Sequence, residues 1–246
     1  MSVVIPTYNS SRTIRTVCEQ VLYAEPNAEV IIVDDNSPDG TGLIADEIAA
    51  NNPKVRVVHR QSKLGVASAV YEGVLRASAE KVVTMDSDLH HSASILPQMR
   101  ELLNSGYDLV IASRYIQGSR FVCSSVLRVV LNRLGNKFAG ALMRLPVKDF
   151  THGFRGYSKR VFLQSFDKSQ MGLQHVSDGS YNLSVLDNAW RLGYRIVEIP
   201  CSSTHSGKSN AGMSFRYLKI VLLIGFDRNR PRGAESKSRS NVPIRA

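Results

Sequence analysis

The sequence predicts an α/β protein whose mostly parallel sheet is covered by helices on both faces. Short runs of β-branched and apolar residues recur along the first half of the chain. Helical patterns of about 10–15 residues separate these runs, which is the order of elements that builds a parallel sheet. Each polar motif in this half follows the end of a predicted strand, where ligands bind in open α/β sheets. The 246 residues allow one large domain, or a domain with a small appendage, and an ample core.

Five apolar runs are predicted to be strands, at residues 2–5, 29–33, 55–58, 81–85 and 108–112. The helix after the first strand shows the i, i+3, i+4, i+7, i+8 spacing of one buried face, with apolar residues at Ile14, Val17, Cys18, Val21 and Leu22. A second helix starts at Thr41 or Gly42, a third spans the small residues of 65–78, and a fourth runs from Ser92 or Ser94 to about Asn104.

The second half is less regular. Residues 122–145 predict one long helix or two, 149–157 a polar and aromatic loop or strand, and 180–192 a helix that Gly193 ends. A strand at 194–200 and a Ser/Gly/Lys-rich loop at 201–213 follow. We expect a main domain at 1–213, an amphipathic helix at 214–226 and a basic disordered tail at 227–246.

The net charge of +10 indicates an anionic partner. The basic residues form no stripe with interleaved aromatics, so nucleic acid is not expected. Cys18, Cys123 and Cys201 are scattered without metal-like spacing, which is typical of a reducing compartment. No signal peptide precedes the first strand, and no apolar run reaches the roughly 20 residues that span a bilayer. We therefore expect a cytoplasmic protein that meets any membrane peripherally, from the cytoplasmic face.

The run at 215–226 is apolar but contains Arg216 and Lys219, and it is too short to cross a bilayer. It can lie in the membrane interface or pack against the body of the protein. The Arg/Lys-rich tail can bind anionic lipid headgroups.

The most informative stretch follows the fourth predicted strand, where Asp86 and Asp88 are separated by Ser87. Two carboxylates this close repel each other unless a cation lies between them. We interpret them as part of a divalent-metal site held by Asp88 and His90, with a phosphorylated ligand beyond the metal. The alternative is a solvated turn, because Asp and Ser favour turns.

Seven motifs in order carry a family resemblance: VVIPTYN, VIIVDDNSPDGT, KLG before a small-residue helix, MDSDLHH, ASRYIQGS, DFTHGFRGYS and GYRIVEIP. Together they resemble the family 2 glycosyltransferases of the GT-A (Rossmann-like) fold, which use nucleotide-sugar donors. The last four look most like the dolichol-phosphate or polyprenyl-phosphate mannosyltransferase branch. The resemblance covers Ser2 to about Pro200.

The resemblance implies the donor site residue by residue. Pro6, Thr7 and Tyr8 would line the nucleobase and ribose pocket, and Asp35, with Asp34 beside it, would hold the base or ribose. Asp88 would bind Mn²⁺ or Mg²⁺, which would in turn hold the diphosphate. The remaining nucleotide-sugar contacts are expected from Lys63, Asp86, Ser87 and Lys208.

The resemblance also implies an acceptor site. Arg114 and Arg128 would face the acceptor phosphate, because a planar guanidinium matches phosphate oxygens. The floor of that site would be shaped by Asp149, Thr151, Gly153, Phe154 and Arg155. The alternative is a structural one, in which a buried ion pair between Arg155 and Asp149 holds the loop.

The sequence departs from the family pattern at several places. Ser10 and Ser184 stand where the family usually has Glu, and Asp178 is a possible substitute for the second. His90 replaces a Gln, which favours Mn²⁺ over Mg²⁺, because imidazole suits manganese better. The family's basic loop has lost its Arg at Thr204 and its last Lys at Asn210, so Lys208 and His205 are left to serve the diphosphate.

The expected reaction is inverting transfer of a hexose, mannose or glucose, from a nucleotide sugar to a polyprenyl or dolichyl phosphate, with GDP-mannose as the first expectation. A phosphate monoester already carries nucleophilic oxygens at neutral pH, so it needs positioning rather than a strong base. Two alternatives remain: a transferase to a sugar hydroxyl in polysaccharide or glycan synthesis, with Asp178 as base, and a non-catalytic nucleotide-sugar-binding module. The cytoplasmic membrane surface is an expected partner, and a membrane-anchoring subunit is compatible with the sequence.

Overall fold

The computed structural model describes residues 1–123, 126–166, 181–205 and 221–222. Its strands are β1 (Ser2–Thr7), β2 (Glu29–Asp34), β3 (Val55–His59), β4 (Lys81–Thr84), β5 (Leu109–Ser113), β6 (Arg120–Cys123), β7 (Arg155–Ser158), β8 (Ile196–Pro200) and β9 (Ser202–His205). Its α-helices are α1 (Ile14–Ala24), α2 (Thr41–Asn51), α3 (Val66–Arg76), α4 (Leu96–Asn104), α5 (Val126–Met143), α6 (Lys159–Ser165) and α7 (Tyr181–Arg191), with a 3₁₀ turn at Ala93–Ile95 before α4.

Seven strands form the central sheet in the order β3-β2-β1-β4-β7-β5-β8. All neighbours are parallel except β7, which runs antiparallel to both β4 and β5. A second, two-stranded parallel sheet pairs β6 with β9. Because β1, β2 and β4 are parallel, their C-terminal ends meet at one edge of the sheet, and the polar motifs predicted from the sequence follow those ends.

The two faces of the sheet bury separate cores because successive side chains of a strand point to opposite faces. Val4 of β1 packs on the face that α3 covers, in the core that also holds residues of α5, α6 and α7. Its neighbours Val3 and Ile5 pack on the other face with residues of α1, α2 and α4. The predicted fold class, a mostly parallel sheet with helices on both faces, is confirmed.

Three short strands and one helix were not predicted correctly. β7 lies in the middle of the sheet where the sequence left a loop or strand open, and α6 directly after it was not expected. β6 takes the start of the segment expected to be helical from residue 122, and β9 lies in the expected 201–213 loop. Each of these strands has four residues and pairs through its main chain, so it leaves little hydrophobic pattern to read.

The structure describes the side chains of Cys18 and Cys201, and both are free thiols. Cys18 lies in the core, as expected, and burial raises the pKa of its thiol to about 12. Cys201 is also buried, with its pKa raised to about 11 by burial. Both thiols are therefore protonated and unreactive at neutral pH.

Among the residues described, none of the helices combines the length and the apolar character needed to cross a bilayer. Most of the helix expected at 214–226 and the whole 227–246 tail lie outside the described residues. Within them only Val221 and Leu222 are described, both helical, with Val221 buried.

Gly73 allows α3 to lie close against the sheet. A Cβ added there would overlap a methyl group of Val4 and lie 3.1 Å from Cγ2 of Val33. We predict that Gly73→Ala lowers the free energy of unfolding by about 1–3 kcal/mol, because overpacking outweighs the gain in helix propensity. Urea unfolding followed by circular dichroism measures this change.

The matched control is Gly140→Ala in α5, where the added Cβ would meet Cε2 of Phe150 at an ordinary 3.5 Å. This variant should be as stable as the parent protein, or more stable by up to about 1 kcal/mol. Equal effects of the two substitutions would contradict the packing of α3 described here.

Candidate active site

Three loops leave the C-terminal edge of the sheet and are tied to each other by hydrogen bonds. After β1, the Asn9 amide donates to the Ser37 hydroxyl at 3.0 Å, and the Ser10 amide donates to the Thr41 hydroxyl at 2.8 Å. The Ser10 and Ser87 hydroxyls share a hydrogen bond of 2.7 Å. Ser10, which departs from the family's Glu, therefore joins the β1 and β4 loops instead of extending a carboxylate into the site.

Asp88 and His90 face each other after β4. Oδ2 of Asp88 lies 2.5 Å from Nδ1 of His90, and Oδ1 accepts the His90 amide at 3.1 Å. Leu89 between them has a φ of 57°, a left-handed conformation that folds the loop back and brings the two side chains together. At this distance the two side chains pair with each other; a cation that displaced the shared proton would meet one oxygen and one nitrogen donor, a combination that suits Mn²⁺.

This pair is not a complete metal site. Within the described part of the chain, no group of three or more His, Cys, Asp or Glu side chains could hold a metal ion. A divalent cation held by Asp88 and His90 would therefore need further oxygen ligands, which a bound diphosphate or water can supply. The residues present fit a cation that binds together with a phosphorylated ligand.

His91 lies beside Asp86 and contacts both its amide and its carboxylate. Its Nδ1 accepts the Asp86 amide at 3.4 Å, which leaves the proton on Nε2, 3.5 Å from Oδ2 of Asp86. The buried ring stacks on Phe154 at a centroid distance of 5.1 Å and meets the His152 ring edge-on at 4.6 Å. Burial lowers the pKa of His91 to about 4, although the charge of Asp88 opposes this shift. His91 is thus a neutral group beside Asp86 at neutral pH.

Asp34 and Asp35 are both buried, but they have different partners. Asp34 accepts the hydroxyl and the amide of Ser37, at 2.5 and 3.2 Å, and so stabilises the turn after β2. Asp35 forms an ion pair with Arg60 and accepts the Gly65 amide at 2.8 Å. Arg60, which sequence reasoning missed, follows β3 directly, and its position after a strand end is the signal that points to it.

The β1 loop carries the predicted nucleobase pocket. Pro6 and Thr7 are buried at the end of β1, whereas Tyr8 is exposed. Nζ of Lys63 lies 3.8 Å from the centroid of the Tyr8 ring, in a cation–π contact. The structure therefore brings together the two predicted donor residues Tyr8 and Lys63, which are far apart in the sequence.

On the acceptor side, Arg114 and Asp149 form a buried bidentate ion pair. Nε and Nη2 of Arg114 donate to the two Asp149 oxygens at 2.8 Å each, and the Arg114 amide adds a third bond at 3.0 Å. Nη2 also donates to the Thr151 hydroxyl at 2.7 Å. Burial alone would raise the pKa of the Asp149 carboxyl, but Arg114 lowers it well below its usual range.

The structural alternative, a buried ion pair between Arg155 and Asp149, is wrong, because Asp149 pairs with Arg114. Arg155 is fully buried, and its guanidinium donates instead to the carbonyls of His152, Asn182 and Phe150 at 2.8, 2.8 and 2.9 Å. These bonds hold the 150–152 loop against the start of α7. Arg155 begins β7, so its side chain points into the protein beneath the loop, while Arg114 at the end of β5 reaches Asp149.

The same loop also reaches Asp86. A Cβ on Gly153 would lie 3.4 Å from Oδ1 of Asp86 and 3.9 Å from Nδ2 of Asn182, so the Gly153 backbone lies close to both side chains. Sequence reasoning did not find Asn182, because nothing in the sequence marks which turn of α7 meets Asp86. The predicted acceptor floor and the predicted donor site are therefore adjacent.

Several predicted residues are described only in part. Ser184 is buried on α7, and Thr204 lies on β9, paired with Val122. Arg128 lies on α5, but its side chain is outside the described residues, as are Asp178, Lys208 and Asn210.

The buried ion pair gives a stability prediction. We expect Asp149→Asn to lower the free energy of unfolding by about 3–5 kcal/mol, because it leaves the Arg114 charge buried without its partner. The contribution of Asp149 is fully present above the ordinary pKa of Asp and is lost as the pH falls through its lowered folded value. The difference between the two proteins should therefore shrink below about pH 4. Denaturant unfolding across this pH range measures both effects.

The control is Glu47→Gln, which removes one partner of the exposed Arg15–Glu47 pair with its 2.7 Å contact. A surface pair of this kind contributes about 0–1 kcal/mol, so the control should stay near the parent protein. A loss no larger for Asp149→Asn than for Glu47→Gln would contradict the buried pair.

Comparison with known proteins places the chain in a family. Polyprenol monophosphomannose synthase of Mycolicibacterium smegmatis is 34% identical over 209 residues, which cover 82% of this chain and 76% of that protein. Undecaprenyl-phosphate mannosyltransferase of Micrococcus luteus is 31% identical over 218 residues, or 86% of each chain.

Among solved structures, glucosyl-3-phosphoglycerate synthase of Mycobacterium tuberculosis, in complex with Mn²⁺, uridine-diphosphate-glucose and phosphoglyceric acid, superimposes with a TM-score of 0.64. The match covers 92% of this chain and 79% of that chain at 20% sequence identity, so it bears on the fold alone. The family model described as Glycosyl transferase family 2 matches residues 2–166. The chain belongs to glycosyl transferase family 2.

Proposed function

We propose that this protein transfers mannose, with inversion, from GDP-mannose to a polyprenyl or dolichyl phosphate, using Mn²⁺ or Mg²⁺. The observation that carries the proposal is the Asp88–His90 pair, held at the sheet edge where the β1, β2 and β4 loops meet. The names of the two relatives support mannose as the sugar and a polyprenyl phosphate as the acceptor. The metal in the M. tuberculosis structure supports a divalent cation.

The donor would bind across the ends of β1, β2 and β4. Tyr8 would offer an aromatic ring to the nucleobase, and Lys63, whose Nζ lies over that ring, would add positive charge to the donor site. Asp34 and Asp35 are proposed to act on the base or ribose through the backbone they hold, since their carboxylates are bonded to Ser37 and to Arg60 and Gly65. Asp86 and Ser87 would contact the ribose side.

Asp88 and His90 would hold the cation, which when bound neutralises charge that develops on the departing diphosphate. His90 favours manganese for this role, because its imidazole replaces an amide oxygen. Lys208, which lies outside the described residues, is proposed to add a second positive charge on the leaving group.

The acceptor phosphate would meet Arg114 and Arg128. A guanidinium carries five N–H groups, and Arg114 uses those on Nε and Nη2 for Asp149 and Thr151. The proposal assigns its Nη1 to the phosphate, with the plane of the guanidinium already fixed by Asp149. Arg155 would contribute by holding the floor of the site rather than by contact. A phosphate acceptor positioned this way needs no strong general base.

We also propose that the protein works peripherally at the cytoplasmic face of a membrane, because a polyprenyl phosphate is anchored there by its chain. A membrane-anchoring subunit is a further proposed partner. The net charge of +10 supports an anionic lipid surface as the place of action.

Replacing one ligand of the proposed cation site tests the function. In an assay with radiolabelled GDP-mannose, polyprenyl phosphate and Mn²⁺, Asp88→Asn should lower the transfer rate at least about a hundredfold, because charge on the leaving diphosphate is no longer shielded. UDP-glucose should be a poorer donor than GDP-mannose. Chelation should abolish transfer, and added Mn²⁺ should restore it.

Asp46→Asn is the matched control, because Asp46 pairs with His59 at the exposed surface of α2 and β3. It should transfer mannose at the parent rate. Full activity of Asp88→Asn would remove the metal assignment, and metal-dependent nucleotide binding without transfer to any acceptor would favour a non-catalytic module.

A further inference from the structure

The outer face of α5 exposes apolar side chains to solvent. Val130, Leu134 and Phe138 recur every fourth residue and are exposed by 45%, 55% and 40%. Residues spaced in this way lie along one side of a helix. Soluble surfaces commonly expose single apolar residues, whereas a row of three along one helix marks an interaction surface. We call these three residues and the basic residues beside them the α5 outer face.

The opposite side of the same helix packs into the hydrophobic core. Ala139 and Met143 are fully buried, and Asn136 accepts the Phe150 amide at 2.8 Å. The helix therefore already has an inner apolar face packed against the protein, and the outer face is a second one. Core packing does not explain why Leu134 and Phe138 are apolar.

Positive charge flanks the apolar row. Arg133 and Lys137 are exposed one residue before Leu134 and Phe138, and Arg144 is exposed just after the helix. Between Asp108 and Asp149 the sequence contains no acidic residue, and its charged residues are Arg114, Arg120, Arg128, Arg133, Lys137, Arg144 and Lys148. An exposed helix face that combines apolar and basic side chains, on a helix that contains no acidic residue, complements the surface of an anionic bilayer.

We infer that the α5 outer face docks onto a bilayer containing anionic lipid, with Val130, Leu134 and Phe138 inserted below the headgroups and Arg133 and Lys137 among them. This places a docking surface within the main domain, distinct from the 214–226 segment and the tail. The inner side of α5 contacts the loop that holds Asp149, so docking would bring the acceptor side of the site to the lipid surface. The inference rests on the proposed function, which supplies the reason for membrane docking. The exposed side chains and the charge of α5 do not depend on that function.

Vesicle sedimentation of the full chain tests the inference without donor or acceptor. Wild type should bind vesicles made from equal amounts of phosphatidylcholine and phosphatidylglycerol. It should bind vesicles of phosphatidylcholine alone much less. Leu134→Glu/Phe138→Glu should weaken binding to the anionic vesicles at least about tenfold, because the apolar row can no longer enter the bilayer.

Leu43→Glu is the matched control, because Leu43 on α2 is 72% exposed and lies outside the α5 outer face. It should bind vesicles as the wild type does. The inference is overturned if wild type ignores anionic vesicles, if the double variant binds them undiminished, or if Leu43→Glu weakens binding equally. Mannosyl transfer to a short-chain polyprenyl phosphate in detergent should stay at the parent rate in the double variant, which separates membrane docking from the proposed chemistry.

A variant with a single tryptophan on α5 reports whether vesicles cover the α5 outer face. Trp190 is the one tryptophan of the chain, so Trp190→Phe combined with Leu134→Trp leaves a reporter on α5 alone. Its fluorescence should be that of an exposed indole in buffer and should shift to the blue when anionic vesicles are added. A blue-shifted emission that vesicles leave unchanged would mean that another segment of this chain covers the face, and would overturn the inference.

Discussion

The site depends on the electrostatics at the end of β4, where two carboxylates leave the sheet one residue apart. Each has an imidazole beside it: Asp88 faces His90, and Asp86 faces His91. The two imidazoles differ, because His91 is buried and neutral while the side chain of His90 is partly exposed. A neutral His91 can orient Asp86 through a hydrogen bond without cancelling its charge. Burial raises the pKa of Asp86, and a cation bound beside the carboxylate would lower that pKa again.

The structure around this point is built to keep it in place. Hydroxyl and amide bonds from Ser10 and Thr41 tie the β1, β2 and β4 loops into one unit. From the other side, the loop fixed by Arg114 and Arg155 brings Gly153 against Asp86. Two buried arginines thus hold the predicted acceptor loop next to the predicted donor site.

The sequence predicted the central sheet well because its strands are buried on both faces and read as uninterrupted apolar runs, as in β2 and β5. It did not predict β6 and β9, whose four residues each carry no such run. The contact between Asp88 and His90 was predictable because they lie two residues apart in the chain, and their role as metal ligands stays a prediction. The partners of Asp35 and Asp149 were not, because Arg60 and Arg114 reach them only through the order of the strands. For Asp149, the nearer Arg155 was the wrong choice between two arginines.

The most direct test of the central claim is the calorimetric titration of the protein with GDP-mannose, with and without Mn²⁺. If the carboxylates at the end of β4 bind the diphosphate through a cation, binding should be at least about tenfold tighter with Mn²⁺ than after its removal by chelation. Equal affinity under both conditions, or no heat of binding under either, would contradict the account.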